Sequence, residues 1–280
     1  MELTVFDVDH GACALLRSRE TGRIALIDCG HNQYTGWTPA WHIRNSYKRD
    51  TLDYLIITNT DEDHYSNLSD LLQNVQVKTL MFNADVSAET FRSMKRKSGP
   101  LSRDAEAYLQ MRKDFIYKVD EHFNDSMGGI LEYRFSNSPR EFNDFNNLSI
   151  ATFFRYGEFQ ILFPGDLERP GWLKLLEISD FRALLSLTTV LVAPHHGRIN
   201  QNYCEEIFEF LSPELVVISD KRIVHQTQLK SASEYRKHVR EPGLFFPKES
   251  GFRKVLTTRR DGAIHFSAER NGNYTVSKGA

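Results

Sequence analysis

The chain reads as an α/β protein built from two sheets covered by helices. Three observations predict this class. Short apolar, β-branched runs dominate both ends of the chain. Helix-forming stretches with i,i+4 charge patterns separate the runs between them. Several runs stop abruptly on glycine, carboxylate or imidazole, which suits one site at the edge of a sheet.

Leu3–Asp7 and Ala12–Arg17 read as the first strands, and the polar RETGR turn leads into Ile24–Asp28, which ends at Cys29-Gly30. Thr51–Thr58 (TLDYLIIT) is too short for a helix and ends in charge; Leu68–Val75 reads as the helix after it and Val77–Phe82 as the next strand. Ser87–Lys97 and Ser102–Lys118 carry helix formers, separated by Ser98-Gly99-Pro100. The strand rhythm returns with Leu148–Arg155, a turn at Tyr156–Glu158, and Phe159–Pro164, followed by Thr189–Ala193 and Leu215–Ser219. Val255–Thr258 and Ala263–Ser267 suggest a closing hairpin around Arg260–Gly262. The absence of a repeat or low-complexity segment argues against a solenoid or a disordered tail, and the expectation is a single domain over residues 1–280 with a helical insertion at about 87–145.

Composition excludes several classes. With 35 Lys+Arg against 37 Asp+Glu the net charge is -2, which rules out a uniformly basic nucleic-acid binder but leaves room for a local basic strip. Three scattered cysteines make neither a disulfide framework nor a cysteine-rich zinc module, and none is marked as a nucleophile; Cys29 reads as a small buried residue. No run approaches the roughly 18 apolar residues that span a bilayer. The start, MELTVFDVDHG, lacks the basic and apolar segments of a signal peptide. The expectation is a cytoplasmic protein with no membrane partner.

The polar clusters sit where strands end. Asn59-Thr60-Asp61-Glu62-Asp63-His64 follows LIIT directly. Three carboxylates and an imidazole at the end of a buried strand repel one another unless a cation is present; the competing reading is a solvated acidic loop capping a helix. Phe163-Pro164-Gly165-Asp166 is a second strand running into a carboxylate, and Val192-Ala193-Pro194-His195-His196-Gly197 delivers two imidazoles.

These segments, taken in order, resemble the metallo-β-lactamase fold superfamily, and more closely the soluble hydrolase domain of ComEC-type competence DNA-uptake proteins. VFDVDHGACALL, ALIDCG, LIITNTDEDH, LSIATFFRYGEFQILFPGDLE, VLVAPHHG, VVISDKRIVH and VLTTRRDGAIHF each resemble a family segment. The resemblance implies a four-layer αβ/βα sandwich with two mixed sheets. It also implies a metal loop of the form His-x-His-x-Asp-His, whose positions here are Asn59, Asp61, Asp63 and His64. Asp61 is the expected ComEC-like variant. Asn59 departs from histidine, so the first metal site should be weaker, because an amide oxygen is a poorer ligand than imidazole. Asp166 takes the bridging position, and the second site takes Asp63, His64 and one of His195 and His196, with His195 favoured by its place at the strand end. Ala12 stands where Asp is frequent, Ser66-Asn67 replace a glycine pair, and His225 lacks the Gly-His-Pro context.

The cofactor implied is a divalent metal, Mn²⁺, Zn²⁺ or Mg²⁺, one or two per chain, which would activate a water for attack on a phosphodiester. Asp63 and Asp166 would be catalytic through the metals, with His225 contacting a phosphate oxygen or protonating the leaving group. A nucleic-acid substrate is the leading expectation. Arg92, Lys95, Arg96, Lys97 and Arg103 form an acid-free basic strip, and Lys95, Arg96 and Lys97 are its candidate phosphate contacts. Tyr34, Trp37 and Trp41, in the loop GHNQYTGWTPAWHIRN, are candidates to stack on a base, or else cover the sheet edge. The alternatives are a hydrolase of small phosphodiesters, esters or lactones, and a non-catalytic binding module with a degraded first metal site. An operon-encoded protein partner is a further expectation.

Overall fold

The computed structural model describes residues 1–97, 99–115, 123–200, 203–221 and 226–279. The described strands, in chain order, are β1 Glu2–Val5, β2 Ala14–Arg17, β3 Ile24–Ile27, β4 Thr51–Ile56, β5 Gln76–Met81, β6 Leu131–Ser136, β7 Ile150–Tyr156, β8 Phe159–Phe163, β9 Val190–Val192, β10 Leu215–Ile218, β11 Leu244–Phe246, β12 Gly251–Arg253, β13 Val255–Thr257, β14 Ile264–Ala268 and β15 Tyr274–Lys278. A seven-stranded sheet has the order β15-β14-β1-β2-β3-β4-β5, and a six-stranded sheet the order β13-β10-β9-β8-β7-β6. Each is mixed. β3, β4 and β5 run parallel in the first sheet, and β8, β9, β10 and β13 in the second, with antiparallel strands beside them.

The two sheets face each other across one apolar layer. In β3, Ala25 and Ile27 point into this layer, while Ile24 and Leu26 point outward to the helices. In β10, Leu215 and Val217 point in, and Val216 and Ile218 point out. Strands buried on both faces read as continuous apolar runs, which is why ALI and LVVI carry no alternation. The helices Pro39–Ser46, Leu68–Asn74, Ala88–Arg96 and Arg103–Asp114 cover the outer face of the first sheet. The helices Arg169–Leu175, Ser179–Ser186 and Gln226–Arg236 cover the second, through Trp172, Phe181 and Tyr235 among others. The result is the expected four-layer αβ/βα sandwich of metallo-β-lactamase type.

Two expectations need correction. The segments around 255 and 264 are not a hairpin: β13 pairs with β10 in the second sheet and β14 with β1 in the first, with the short helix Thr258–Asp261 carrying the chain between sheets. The terminal hairpin is β14–β15. The stretch 87–145 is not helical throughout, because β6 lies within it as the edge strand of the second sheet.

This topology places polar residues at the C-terminal ends of parallel strands, the usual position for a site in an α/β sheet. Asp28 follows β3, the acidic loop follows β4, Asp166 follows β8, His195 and His196 follow β9, and Ser219 follows β10.

The central layer should carry much of the stability. Phe154 on β7 is fully buried among residues of both sheets, with Phe123 and Phe163 at ring distances of 5.8 and 6.0 Å. Phe154→Ala is expected to lower the free energy of unfolding by about 3–5 kcal/mol in urea denaturation.

Candidate metal centre

His64 lies at the middle of the site and is 1% exposed. Its Nδ1 donates to Asp28 Oδ2 at 2.9 Å and its Nε2 meets Asp166 Oδ1 at 3.0 Å. Asp28 is fixed in turn: Thr58 donates to Oδ1 through its backbone N–H (2.7 Å) and to Oδ2 through its hydroxyl (2.6 Å). On the other side, His196 Nε2 lies 3.0 Å from Asp63 Oδ2 and 3.7 Å from Asp166 Oδ2, and its Nδ1 donates to the Ser219 carbonyl at 3.1 Å. One donor atom from each of Asp63, His64, Asp166 and His196 lies within 4.8 Å of the other three.

Local backbone structure sets these positions. The metal loop is pinned where Ala12 N–H donates to the Asp63 carbonyl (3.3 Å) and Cys29 N–H to the His64 carbonyl (2.7 Å). Gly11 makes the first contact possible, since a Cβ there would stand 2.3 Å from the Asp63 carbonyl oxygen. Asp9, Asp28, His195 and His196 all adopt positive φ, between 48° and 59°. Left-handed backbone in non-glycine residues costs about 1–2 kcal/mol each, and its concentration here marks a segment held by its surroundings. The left-handed turn sends successive imidazoles to two sides of Asp166: His196 joins the cluster, whereas His195 Nε2 stays 3.9 Å from Asp166 Oδ2 and its Nδ1 faces Glu168 at 3.2 Å.

Charges in the cluster balance through shared protons. Burial opposes a charged His64, but the Asp166 and Asp28 carboxylates outweigh it and raise its pKa well above the ordinary imidazole value. His196 is raised in the same way, against its burial, by Asp166 and Asp63. Burial works against ionised Asp63 and Asp166 too, yet the His196 and His64 contacts hold both carboxyls below their usual range. His10 stands 3.5 Å from Asp63 Oδ2, and burial lowers its pKa.

Two imidazole nitrogens and two carboxylates converge, with His64 and Asp166 buried and Asp63 and His196 partly so, and this set fits a divalent transition metal. The first metal position is different. Asn59 Oδ1 accepts from the Asp61 N–H at 2.8 Å, Asn59 Nδ2 donates to Asn146 at 3.3 Å, and Asp61 accepts from Lys95 Nζ at 3.0 Å. Asp61 is not among the four converging residues, and the Asn59 amide is engaged at both its oxygen and its nitrogen. Of the other candidates, Arg96 and Lys97 are exposed and Trp37 packs on Phe6 at 4.5 Å. His225 lies outside the described residues. Asp28, His10 and Asn146 had gone unassigned in the sequence; only Asp28 carried a signal, as the carboxylate ending the Ile-Asp-Cys-Gly strand.

No family model and no curated protein sequence matches the chain. Among solved structures it is similar to CmlA, a diiron β-hydroxylase from Streptomyces venezuelae, with a TM-score of 0.50 and 14% identity over 91% of this chain and 53% of that one. A mutant CmlA β-hydroxylase aligns with a TM-score of 0.51 and 14% identity over 95% of this chain and 54% of that one. Igni18, a metallo hydrolase from Ignicoccus hospitalis, aligns over 96% of this chain and 100% of its own with 12% identity and a TM-score of 0.49. The chain spans about half the length of the CmlA structures. What it shares with them is the fold.

Two outcomes follow from the site. Asp28→Asn puts an NH₂ group against one of the three donors now facing the carboxylate, so metal affinity in chelator competition should fall about 10–100-fold. In the metal-free protein the raised imidazoles stabilise the fold most below about pH 6.5, and this contribution is lost as pH rises through their raised pKa values. A metal must displace the same protons, so its affinity rises with pH. The melting-temperature gap between metal-loaded and stripped protein should therefore widen from about pH 6 to pH 9.

Proposed function

We propose that the chain is a metal-dependent hydrolase of phosphodiester bonds, with nucleic acid as its substrate. The observation that carries this reading is the convergence of Asp63, His64, Asp166 and His196 from three strand ends, with Asp28 and Ser219 orienting the two imidazoles. These four residues would hold the cation. When bound, a divalent metal supplies Lewis acidity and a water that ionises near neutral pH.

The rest of the chemistry falls to the chain's own groups. Asp28 and the Ser219 carbonyl occupy the Nδ1–H groups of His64 and His196, which directs both Nε2 atoms to the centre. His10 borders the mouth beside Asp63 and stays neutral near pH 7, so its Nε2 is placed to take up a proton there. The helix Ala88–Arg96 supports the nucleic-acid reading. Lys95 anchors it to the metal loop through Asp61, while Arg92, Arg96 and Lys97 remain exposed beside this anchor.

A second reading, a small-molecule hydrolase, is favoured by the cavity of about 480 Å³ on the Asp63 side. It suits a small organic substrate in volume, and its lining by Asp9, Glu62 and Asp104 repels a polyanion.

The test is hydrolysis by metal-stripped protein resupplied with Mn²⁺, Mg²⁺ or Zn²⁺. The substrates are bis(p-nitrophenyl) phosphate, labelled single- and double-stranded DNA and RNA, and p-nitrophenyl esters. Metal-dependent phosphodiester cleavage that falls to background in Asp166→Ala and His196→Ala is expected. Arg96→Ala with Lys97→Ala should raise KM for nucleic acid, flatten its salt dependence and leave the small diester unaffected. Turnover of esters alone would favour the second reading, and silence on every substrate a binding module.

A further inference from the structure

We propose that the ammonium of Lys95 takes the first cation position of the metal loop, so that the chain binds a single divalent metal. This rests on reading Asp63, His64, Asp166 and His196 as a metal centre.

Three observations support the assignment. The Lys95 ammonium is held on several sides. Its Nζ lies 3.0 Å from Asp61 Oδ1, 4.7 Å from the Phe145 ring centroid and 5.7 Å from that of Tyr65, and its side chain is only 13% exposed. An ammonium over two aromatic faces and against a carboxylate is a placed charge, unlike a surface lysine.

The second observation is that the neighbouring polar groups close on one another without a metal. Asn59 bonds the Asp61 N–H with its oxygen and Asn146 with its amide nitrogen; Asn146 Nδ2 donates onward to Glu168 Oε1 at 3.1 Å; and Glu168 faces His195 Nδ1. A polar chain thus runs from Lys95 through Asp61, Asn59, Asn146, Glu168 and His195 to the edge of the cluster. Neutral amides stand at two of its links, and these are poorer metal ligands than imidazole or thiolate.

The third is charge. Asp61 is balanced by one unit of positive charge that the chain itself supplies. A divalent ion on the same carboxylate would stand within a few ångströms of an ammonium that is itself only 13% exposed, although Asp61 is 41% exposed, and like charges at that separation repel. Lys95 then provides a fixed positive charge beside the metal loop, with N–H donors beyond the one given to Asp61, for an anionic substrate oxygen, a role otherwise open to a second metal.

The experiment measures metal content. The full chain is stripped, dialysed against excess Mn²⁺ or Zn²⁺ and assayed by mass spectrometry and calorimetric titration, with electron paramagnetic resonance of the Mn²⁺ form. Wild type and Lys95→Arg should each hold one equivalent and give the spectrum of an isolated ion. Lys95→Met keeps the apolar stem but loses the charge, and should take up a second equivalent with an exchange-coupled signal. Lys95→Gln provides the same reading should the Met variant fail to fold, as judged by circular dichroism. Asp166→Asn should lose the single equivalent. Two equivalents in wild type would overturn the proposal while leaving the metal centre intact, as would one equivalent in both uncharged variants. No equivalent in wild type would instead overturn the metal centre itself.

Discussion

The site depends on one imidazole held between two carboxylates that belong to different sheets. Asp28 closes β3 of the first sheet, Asp166 follows β8 of the second, and His64 bonds both. That contact ties the two halves of the sandwich together at the rim. In the metal-free protein the two carboxylates also raise the His64 pKa well above the ordinary imidazole value, against its burial. Its near neighbours take their roles from this arrangement. Thr58 anchors Asp28 from β4's own end, and the Asp166 N–H donates to the Ser149 hydroxyl at 3.0 Å.

The cleft beside this contact is asymmetric. One flank is basic, where the helix Ala88–Arg96 is secured by the Lys95–Asp61 pair. The other is the acidic cavity that Asp9, Glu62 and Asp104 line. The asymmetry reconciles a near-neutral chain with local fields of opposite sign, which net charge alone does not reveal.

Much of the fold was legible because buried strands are written as apolar runs, and TLDYLIIT and LVVI need little interpretation. The edge strand β6 was not, since LEYRFS is half-exposed and charged and its pairing with β7 is not local. The sheet assignment of β13 and β14 failed for a related reason: short sequence separation argued for a hairpin, while each strand had a better partner far away. At the site, residue types were readable but directions were not. Position at the strand end favoured His195, yet the left-handed turn through residues 195 and 196 brings His196 to Asp63, and no sequence pattern announces positive φ in histidine. The Lys95–Asp61 pair joins residues 34 apart through tertiary packing alone.

The pairing of β1 with β14, in which Leu3 lies opposite Phe266, has a consequence for synthesis on the ribosome. β1 is an interior strand of its sheet, yet one of its two neighbours is translated near the end of this sequence. Until β14 emerges, β1 through β5 form an incomplete sheet with an open hydrogen-bonding edge, and their inner face waits for strands of the second sheet. The apolar layer that stabilises the finished protein is therefore an exposed, adhesive surface until the strands that cover it have been made. Completion of the fold, and with it the rim where the two sheets meet, is an event that follows translation of these strands rather than accompanying it.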